Sequence, residues 1–205
     1  MAHSLRDKYP RVEFNDRHAW REWLATHHET SLGVWLVTFH KTSGKSRMNY
    51  EDAVEEALCF GWVDSTANRV DESRSMLLYT PRKPGSGWSR PNKKRIDWLI
   101  ASALMMPAGQ AKVDAAKADG SWQILDAVED LIVPDDLSAA LASSPAARQG
   151  FERLPKSIQK PLLQWVYTAK RPETRSRRIA EIVDASVDGR NPLEWKPKSR
   201  SQQTD

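Results

Sequence analysis

Apolar residues in the N-terminal part of the chain follow the spacings of both helices and strands. Residues 16–27 place large apolar side chains at helical spacing, which predicts an amphipathic helix. Residues 33–41 (GVWLVTFHK) are rich in β-branched and aromatic side chains and are apolar on both faces, as in a central strand covered on both sides. Residues 62–70 and 75–81 predict a strand pair. With a short strand at 11–14, about four strands are expected.

Capping residues mark the helix boundaries in this part of the chain. Asn49 is placed to cap one helix, and Gly61 stands where a C-terminal glycine would end it. Ser89 is placed to cap the next helix, with Pro91 in its first turn, where proline is tolerated. The core face expected for this helix consists of Ile96, Leu99, Ile100 and Ala103. A further helix is predicted over residues 107–120.

From Pro134 onward the pattern is helical only. Four helices with short connections are expected, over residues 135–142, 145–154, 158–170 and 173–187. Because Pro161 would clash with the preceding turn inside a helix, the third helix is expected to begin near Lys160. The predicted fold class is therefore α+β: an N-terminal antiparallel sheet of about four strands with helices, followed by a small C-terminal helical bundle.

The expected domains are an α+β domain over residues 1–130, a helical module over residues 131–190 and a polar tail over residues 191–205. The N-terminus lacks the apolar stretch of a signal peptide, and no run is long enough to span a membrane. The only cysteine, Cys59, has no intrachain disulfide partner and is expected to be a buried, inert thiol. These features together favour a cytoplasmic location.

Charge is unevenly distributed along the 205 residues, although the net charge is only +4. Residues 49–72 carry seven acids and one base, whereas residues 82–95 carry six bases and no acid. A basic segment of this kind attracts anionic partners. The chain also has nine tryptophans against four phenylalanines, and tryptophan suits pocket walls as well as cores.

The segment RKPGSGWSRPNKKR at residues 82–95 has the composition of an anion-binding loop. Its glycines allow a close backbone approach, and the helix expected to follow would present free N–H groups at its start. The same composition also suits a scaffold loop whose arginine pairs with a buried acid and whose tryptophan anchors it to the core. The candidate binding residues of the loop are Arg82, Lys83, Ser86, Trp88, Ser89 and Asn92.

Asp64 and Ser65 complete the set of candidate binding residues. They follow Gly61 at a junction between helix and strand, so pairing of that strand with residues 75–81 would bring Asp64 near Arg82. A carboxylate beside an arginine has a depressed pKa and is a poor general base, so structural pairing is favoured over catalysis.

No motif for zinc hydrolysis, α/β-hydrolase chemistry or dinucleotide binding is present, and we expect neither a metal nor a cofactor. Whether the protein is an enzyme is left open. The basic run at residues 169–178 is interpreted first as a solvated helix face, with docking to an acidic surface as the alternative.

Four sequence segments occur in order along the chain. They are ALCFGWVDS (57–65), residues 81–92 with PRK followed by SGWS and then Asn92, residues 107–122 from PAG to Trp122, and AKRPETRSRRI (169–179). Together they resemble the YdeI/OmpD-associated family, which is named for bacteriocin protection. The resemblance implies an N-terminal α+β domain, a C-terminal helical module, a bacterial source and a link to tolerance of bacteriocins or cationic antimicrobial agents. It carries over no substrate, cofactor or catalytic residue.

The first functional hypothesis is a non-catalytic stress-protection protein that binds a small anion or a protein partner through the basic loop. The alternative is a small enzyme acting on a phosphorylated or carboxylated substrate, with Arg82 holding the anion and Asp64 orienting or deprotonating the substrate. Nucleic-acid binding requires residues 82–95 and 170–178 on one face. It is the least favoured hypothesis, because exposed aromatics interleaved with the bases are missing from the second segment. The oligomeric state is left open.

Overall fold

The computed structural model describes residues 5–193, and the chain divides into two compact units, Met1–Gln123 and Ile124–Asp205. The first unit contains α1 (Leu5–Lys8), β1 (Arg11–Glu13), α2 (Arg17–His27), β2 (Val34–Phe39), α3 (Tyr50–Cys59), β3 (Trp62–Arg69), β4 (Arg74–Pro81), α4 (Arg90–Ala101) and α5 (Pro107–Ala118). The second contains α6 (Asp126–Glu129), α7 (Asp135–Ala142), α8 (Pro145–Arg153), α9 (Lys156–Tyr167) and α10 (Pro172–Val187). Most of the predicted polar tail, residues 194–205, lies outside the described residues.

The four strands form one mixed sheet in the order β1-β2-β4-β3. Strand β4 is antiparallel to β2 and β3, with Val34 opposite Tyr79 and Trp62 opposite Pro81. Strand β1 is parallel to β2. The α+β class and the four strands are confirmed, but the expectation of an antiparallel sheet is wrong for this last pair. Helix α2 forms a crossover between β1 and β2, and such a crossover returns the chain in the same direction.

Strand β2 is buried on both faces, as predicted. Val34 and Leu36 enter the main core, whereas Trp35 and Val37 pack on the opposite face. The main core also receives buried side chains from α2, α3, α4 and α5, including Trp20, Leu24, Val54, Leu58, Ile96 and Val113. The sheet is therefore fixed from one side by helices, and the site described below lies at the end of β4.

Helix α3 begins and ends at the predicted residues. Asn49 accepts a hydrogen bond on its side-chain oxygen from the Asp52 N–H at 2.8 Å. Gly61 ends the helix with a φ of +73°, a conformation that glycine adopts without strain. Helix α5 passes very close to the C-terminal end of α3: a Cβ on Gly109 would lie only 2.3 Å from the carbonyl oxygen of Cys59. Glycine at this position therefore allows the two helices to pack together.

Helix α4 follows the prediction only in part. Ser89 occupies the N-cap position and Pro91 lies in the first turn, but the Ser89 side chain makes no capping hydrogen bond. Ile96 and Leu99 are buried as expected. Ile100 and Ala103 are exposed, so their assignment to the core face is wrong. Ile100 lies on the exposed side of the last helical turn, and Ala103 follows the end of the helix at Ala101. Residues 104–106 then pack against the core.

The second unit packs its helices around Leu137, Leu162, Ile182 and their neighbours. Helix α9 begins at Lys156 and contains Pro161, so the expected start near Lys160 is wrong. Proline removes one backbone donor from a helix. Burial of Leu162 and partial burial of Ile158, on either side of the proline, offset this loss.

The basic run of the second unit is not simply a solvated face. Arg175 donates from Nε to Asp136 at 2.6 Å and from Nη1 to the Val166 carbonyl at 2.9 Å. Arg178 donates to the Trp165 carbonyl and lies over its indole ring at 5.2 Å. These two arginines join α10 to α7 and to the C-terminal end of α9. Within residues 5–193, no helix combines the length and the apolar character that crossing a bilayer requires.

Candidate functional site

Arg82 is a buried cation at the start of the loop that follows β4. Its backbone N–H donates to the Gly61 carbonyl at 2.9 Å, which fixes it beside the C-terminal end of α3. The side chain is only 5% exposed. Its guanidinium carbon lies 3.6 Å from the centroid of the Trp88 ring, and Nη2 donates to the Gly87 carbonyl at 2.5 Å. The loop therefore folds back over the arginine that begins it.

Two of the three guanidinium nitrogens of Arg82, Nε and Nη1, are buried and have no hydrogen-bond partner among the described residues. Burial lowers the pKa of Arg82 to about 10, and the charge of Asp64 opposes this shift. The group thus stays protonated at neutral pH. A buried charge with unsatisfied donors is costly, because the water removed from it has not been replaced by other acceptors.

A small cavity of about 60 Å³ lies against this arginine. Helix α5 and the turn after it supply the far wall through Lys112, Asp119 and Ser121. The remaining lining residues are Lys83, Pro84, Gly85, Ser86, Trp88, Ala115 and Ala116. Bases outnumber acids in the cavity lining as a whole, since Arg82, Lys83 and Lys112 accompany a single aspartate among the described lining residues.

Asp119 is used to hold the loop in place. Its carboxylate accepts from the Ser121 N–H at 2.8 Å, and the backbone of Gly85 also contributes to lowering its pKa. Hydrogen bonds from Ser121 lower the pKa of Asp119 below its ordinary value. The Ser86 hydroxyl already has a partner within the protein, since it donates to the Lys83 carbonyl at 2.7 Å.

The eight predicted binding residues fall into two groups. Arg82, Lys83, Ser86 and Trp88 line the cavity, whereas Asp64, Ser65, Ser89 and Asn92 are not among its lining residues. Trp88 is 1% exposed and its ring stacks on Arg82, so it anchors the loop to the core, as in the scaffold alternative, and offers little open surface to a ligand. The Trp122 ring packs against it, with centroids 5.1 Å apart.

Asp64 and Asn92 belong to a neighbouring network of polar side chains. Asp64 accepts from the Tyr50 hydroxyl at 3.0 Å, and Asn92 accepts from Arg95 Nη1 at 2.8 Å. The guanidinium carbon of Arg95 lies 5.9 Å from the centroid of the Tyr50 ring, so Arg95 connects the Asp64–Tyr50 pair with Asn92. The expected Asp64–Arg82 ion pair is absent from residues 5–193: the strands pair as predicted, but Asp64 lies opposite Tyr79 and bonds to Tyr50.

Ser65 and Ser89 have separate surroundings. The Ser65 hydroxyl donates across the strand pair to the Leu78 carbonyl at 3.4 Å. Ser89 begins α4, where its backbone carbonyl accepts from the Lys93 N–H at 3.0 Å. Neither serine is therefore placed beside the Arg82 cavity.

Sequence reasoning did not identify Lys112, Asp119 and Ser121 as site residues. All three lie about 30 residues after the loop in sequence and reach it only because α5 packs back on α3. The one local signal was the Asp119–Gly120 pair, which is typical of a turn. Cys59, in contrast, is buried as predicted, and burial raises the pKa of its thiol to about 11.

Comparison with protein families divides the chain into two matched regions. Residues 12–112 match the description "Domain of unknown function (DUF8412)". Residues 130–189 match the description "Bacteriocin-protection, YdeI or OmpD-Associated". The comparisons with curated proteins and with solved structures gave no match. Residues 130–189 of the second unit thus match the YdeI/OmpD-associated family, and the family resemblance inferred from the sequence is confirmed for this part of the chain.

Proposed function

We propose that the first unit binds a small anion at the Arg82 cavity, and that the protein supports bacterial tolerance of bacteriocins through this binding. The observation that carries the proposal is the buried guanidinium whose Nε and Nη1 have no partner within residues 5–193. The description of the family matched by residues 130–189 supports the link to bacteriocin protection.

The chemistry of Arg82 favours an anion over other ligands. A guanidinium presents N–H groups in a fixed plane that matches a carboxylate or a phosphate. Stacking on Trp88 fixes the plane, and the Gly87 carbonyl occupies only Nη2. The arginine is thus oriented before a ligand arrives, so binding need not order it. An anion that contacted Nε and Nη1 would supply the acceptors that these two nitrogens lack.

The volume of the cavity limits the ligand. A buried water needs roughly 10–15 Å³, so about 60 Å³ accommodates a few water-sized groups. That is the size of a free carboxylate or phosphate, or of the charged end of a longer molecule. Lys83 and Lys112 add positive charge on the wall and would strengthen attraction of such a group.

The test is titration of the protein with inorganic phosphate and with acetate at constant ionic strength, followed by calorimetry and by thermal unfolding. Constant ionic strength separates a site from general screening of surface lysines. A ligand that binds only the folded state raises the melting temperature. We expect saturable binding in the wild type and at least about tenfold weaker binding in Arg82→Lys, which keeps the charge but loses the planar fork.

Lys94→Gln is the matched control, because Lys94 is an exposed base on α4 that does not line the cavity. Equal loss of affinity in both variants, or no saturable binding in the wild type, would contradict the proposal. In the native host, the Arg82→Lys allele should lower survival under bacteriocin challenge. The double alanine variant at Arg82 and Trp88 is less suitable, since both side chains are buried and their removal would also unsettle the fold.

A further inference from the structure

A second and much larger cavity lies in the first unit, between the sheet and the start of α3. Its volume is about 430 Å³, within the range of roughly 300–1,000 Å³ that is usual for small-molecule sites. Strands β2 and β4 supply its base, and residues 47–50 with the segment after β2 supply its walls. None of the residues lining the Arg82 cavity lines this one.

Tyr79 is a buried residue that lines this cavity and carries an unpartnered hydroxyl group. The side chain is 0% exposed, lines the cavity and packs its ring against Trp20 at 5.4 Å. Its hydroxyl has no hydrogen-bond partner within the described part of the chain. Burial raises the pKa of Tyr79 above its ordinary value, so the group remains a hydrogen-bond donor at neutral pH. An unsatisfied buried hydroxyl is destabilising unless something else accepts from it.

The charged residues of this cavity are of one sign. Lys41 and Arg47 line it together with His40, and none of the described lining residues is acidic. Within residues 5–193, neither Lys41 nor Arg47 forms an ion pair with an acid of the protein. The cavity wall therefore has positive charge that no carboxylate of the described chain neutralises, which favours an anionic occupant.

The rest of the surface is mainly apolar. The apolar lining residues are Leu36, Phe39, Met48, Ala53, Ala67, Met76 and Leu77. Two of these are methionines, whose flexible side chains adapt to ligands of irregular shape. An apolar body of one or two rings would remove this surface from water and gain free energy by doing so.

We propose that this cavity is a ligand site for an amphipathic anion, with an apolar body against β2 and β4, a carboxylate or phosphate head near Lys41 and Arg47, and a polar atom that accepts from the Tyr79 hydroxyl. The proposal does not depend on the function proposed for the Arg82 cavity. It rests on a different orphaned donor, a different set of cations and a volume that admits a larger molecule.

The experiment uses indole-3-acetate as the anionic probe, indole-3-acetamide as its neutral counterpart and octanoate as a probe without a ring. Binding is measured by calorimetry, and its place is mapped by amide chemical-shift changes in the full-length protein. We expect shifts concentrated in β2, β4 and residues 47–53, and affinity for indole-3-acetamide about tenfold below that for indole-3-acetate. Arg47→Gln should weaken binding of the acid but not of the amide.

Tyr79→Phe removes only the hydroxyl and keeps the packing, so it should fold and should bind the probe severalfold more weakly. Arg82→Lys is the control and should leave this binding unchanged. Three results would overturn the proposal: equal affinity for the acid and the amide, unchanged binding in both Arg47→Gln and Tyr79→Phe, or shifts mapped outside the cavity. Failure of both indole-3-acetate and octanoate to bind at millimolar concentration would overturn it as well.

Discussion

Glu56 and Arg82 are the charged side chains that are buried in the described part of the first unit, and their surroundings differ. Both carboxylate oxygens of Glu56 accept hydrogen bonds, one from Arg17 at 2.5 Å and the other from Arg21 at 2.6 Å. Arg82 instead directs one nitrogen to the Gly87 carbonyl and leaves two without a partner. The buried acid is thus satisfied by the protein itself, whereas the buried base is not.

This difference separates a structural role from a ligand-binding one. Arg17 and Arg21 come from α2 and Glu56 from α3, so the cluster joins two helices that cover the same face of the sheet. Nothing further is needed to satisfy Glu56. Arg82, in contrast, lies against a cavity, and an occupant could complete its hydrogen bonding. The comparison therefore predicts that substitution of Glu56 greatly lowers the free energy of unfolding, whereas substitution of Arg82 mainly lowers the affinity for an anion.

The largest expected effect follows from removing Glu56. Glu56→Ala leaves two arginines near each other without their shared acid, and breaking a buried pair costs on the order of 3–5 kcal/mol. Since Arg17 and Arg21 keep about 30% exposure and can regain some water, we expect about 3 kcal/mol, at the lower end of this range. Urea unfolding measures it. Glu72→Gln, at an exposed acid, is the control and should change stability by no more than about 0.5 kcal/mol.

A much smaller effect on stability is expected at Arg82. Arg82→Met replaces a buried charge and its unsatisfied donors with an apolar chain of similar length, so the free energy of unfolding should change by about 1 kcal/mol or less in buffer free of phosphate and carboxylate. The same variant should lose the stabilisation that phosphate gives the wild type. A loss comparable to that of Glu56→Ala would show that Arg82 is structural, and the comparison would fail.

Much of the local structure could be predicted from the sequence, because it depends on residues close together in the chain. The Asn49 cap, the glycine at the end of α3 and the doubly buried β2 are of this kind. The parallel pairing of β1 with β2 and the proline inside α9 could not be predicted so readily, since both depend on tertiary packing that overrides local preference.

The candidate site could be predicted only in part, because one side of it is local in sequence and the other depends on tertiary packing. Arg82 and Trp88 are six residues apart, and their loop was recognisable from composition. Its far wall comes from α5, which no local pattern connects to the loop. Glu56 was hidden by a similar effect: a glutamate is rarely buried unless it is paired, and only the approach of Arg17 and Arg21 from α2 makes its burial possible.

The smallest effect concerns Asp119, the acid on the wall of the Arg82 cavity. Asp119→Asn removes a negative charge that opposes an anion, while the amide oxygen can still accept from the Ser121 N–H. We expect about threefold tighter binding of phosphate at pH 7, since a single exposed charge acts weakly through water. Asp114→Asn, on the same helix but away from the cavity, is the control and should leave the affinity unchanged.

Acidification to pH 5 should not reproduce the effect of Asp119→Asn on acetate binding. The hydrogen bonds from Ser121 lower the pKa of Asp119 below its ordinary 3.8, so the carboxylate stays ionised at pH 5 and its repulsion of an anion persists. Asp119→Asn should therefore bind acetate more tightly than the wild type at both pH 5 and pH 7, by a similar factor. Calorimetric titrations at the two pH values measure this factor. If it vanished at pH 5, Asp119 would be protonated there, and its carboxylate would not be held by the Ser121 donor as the structure describes.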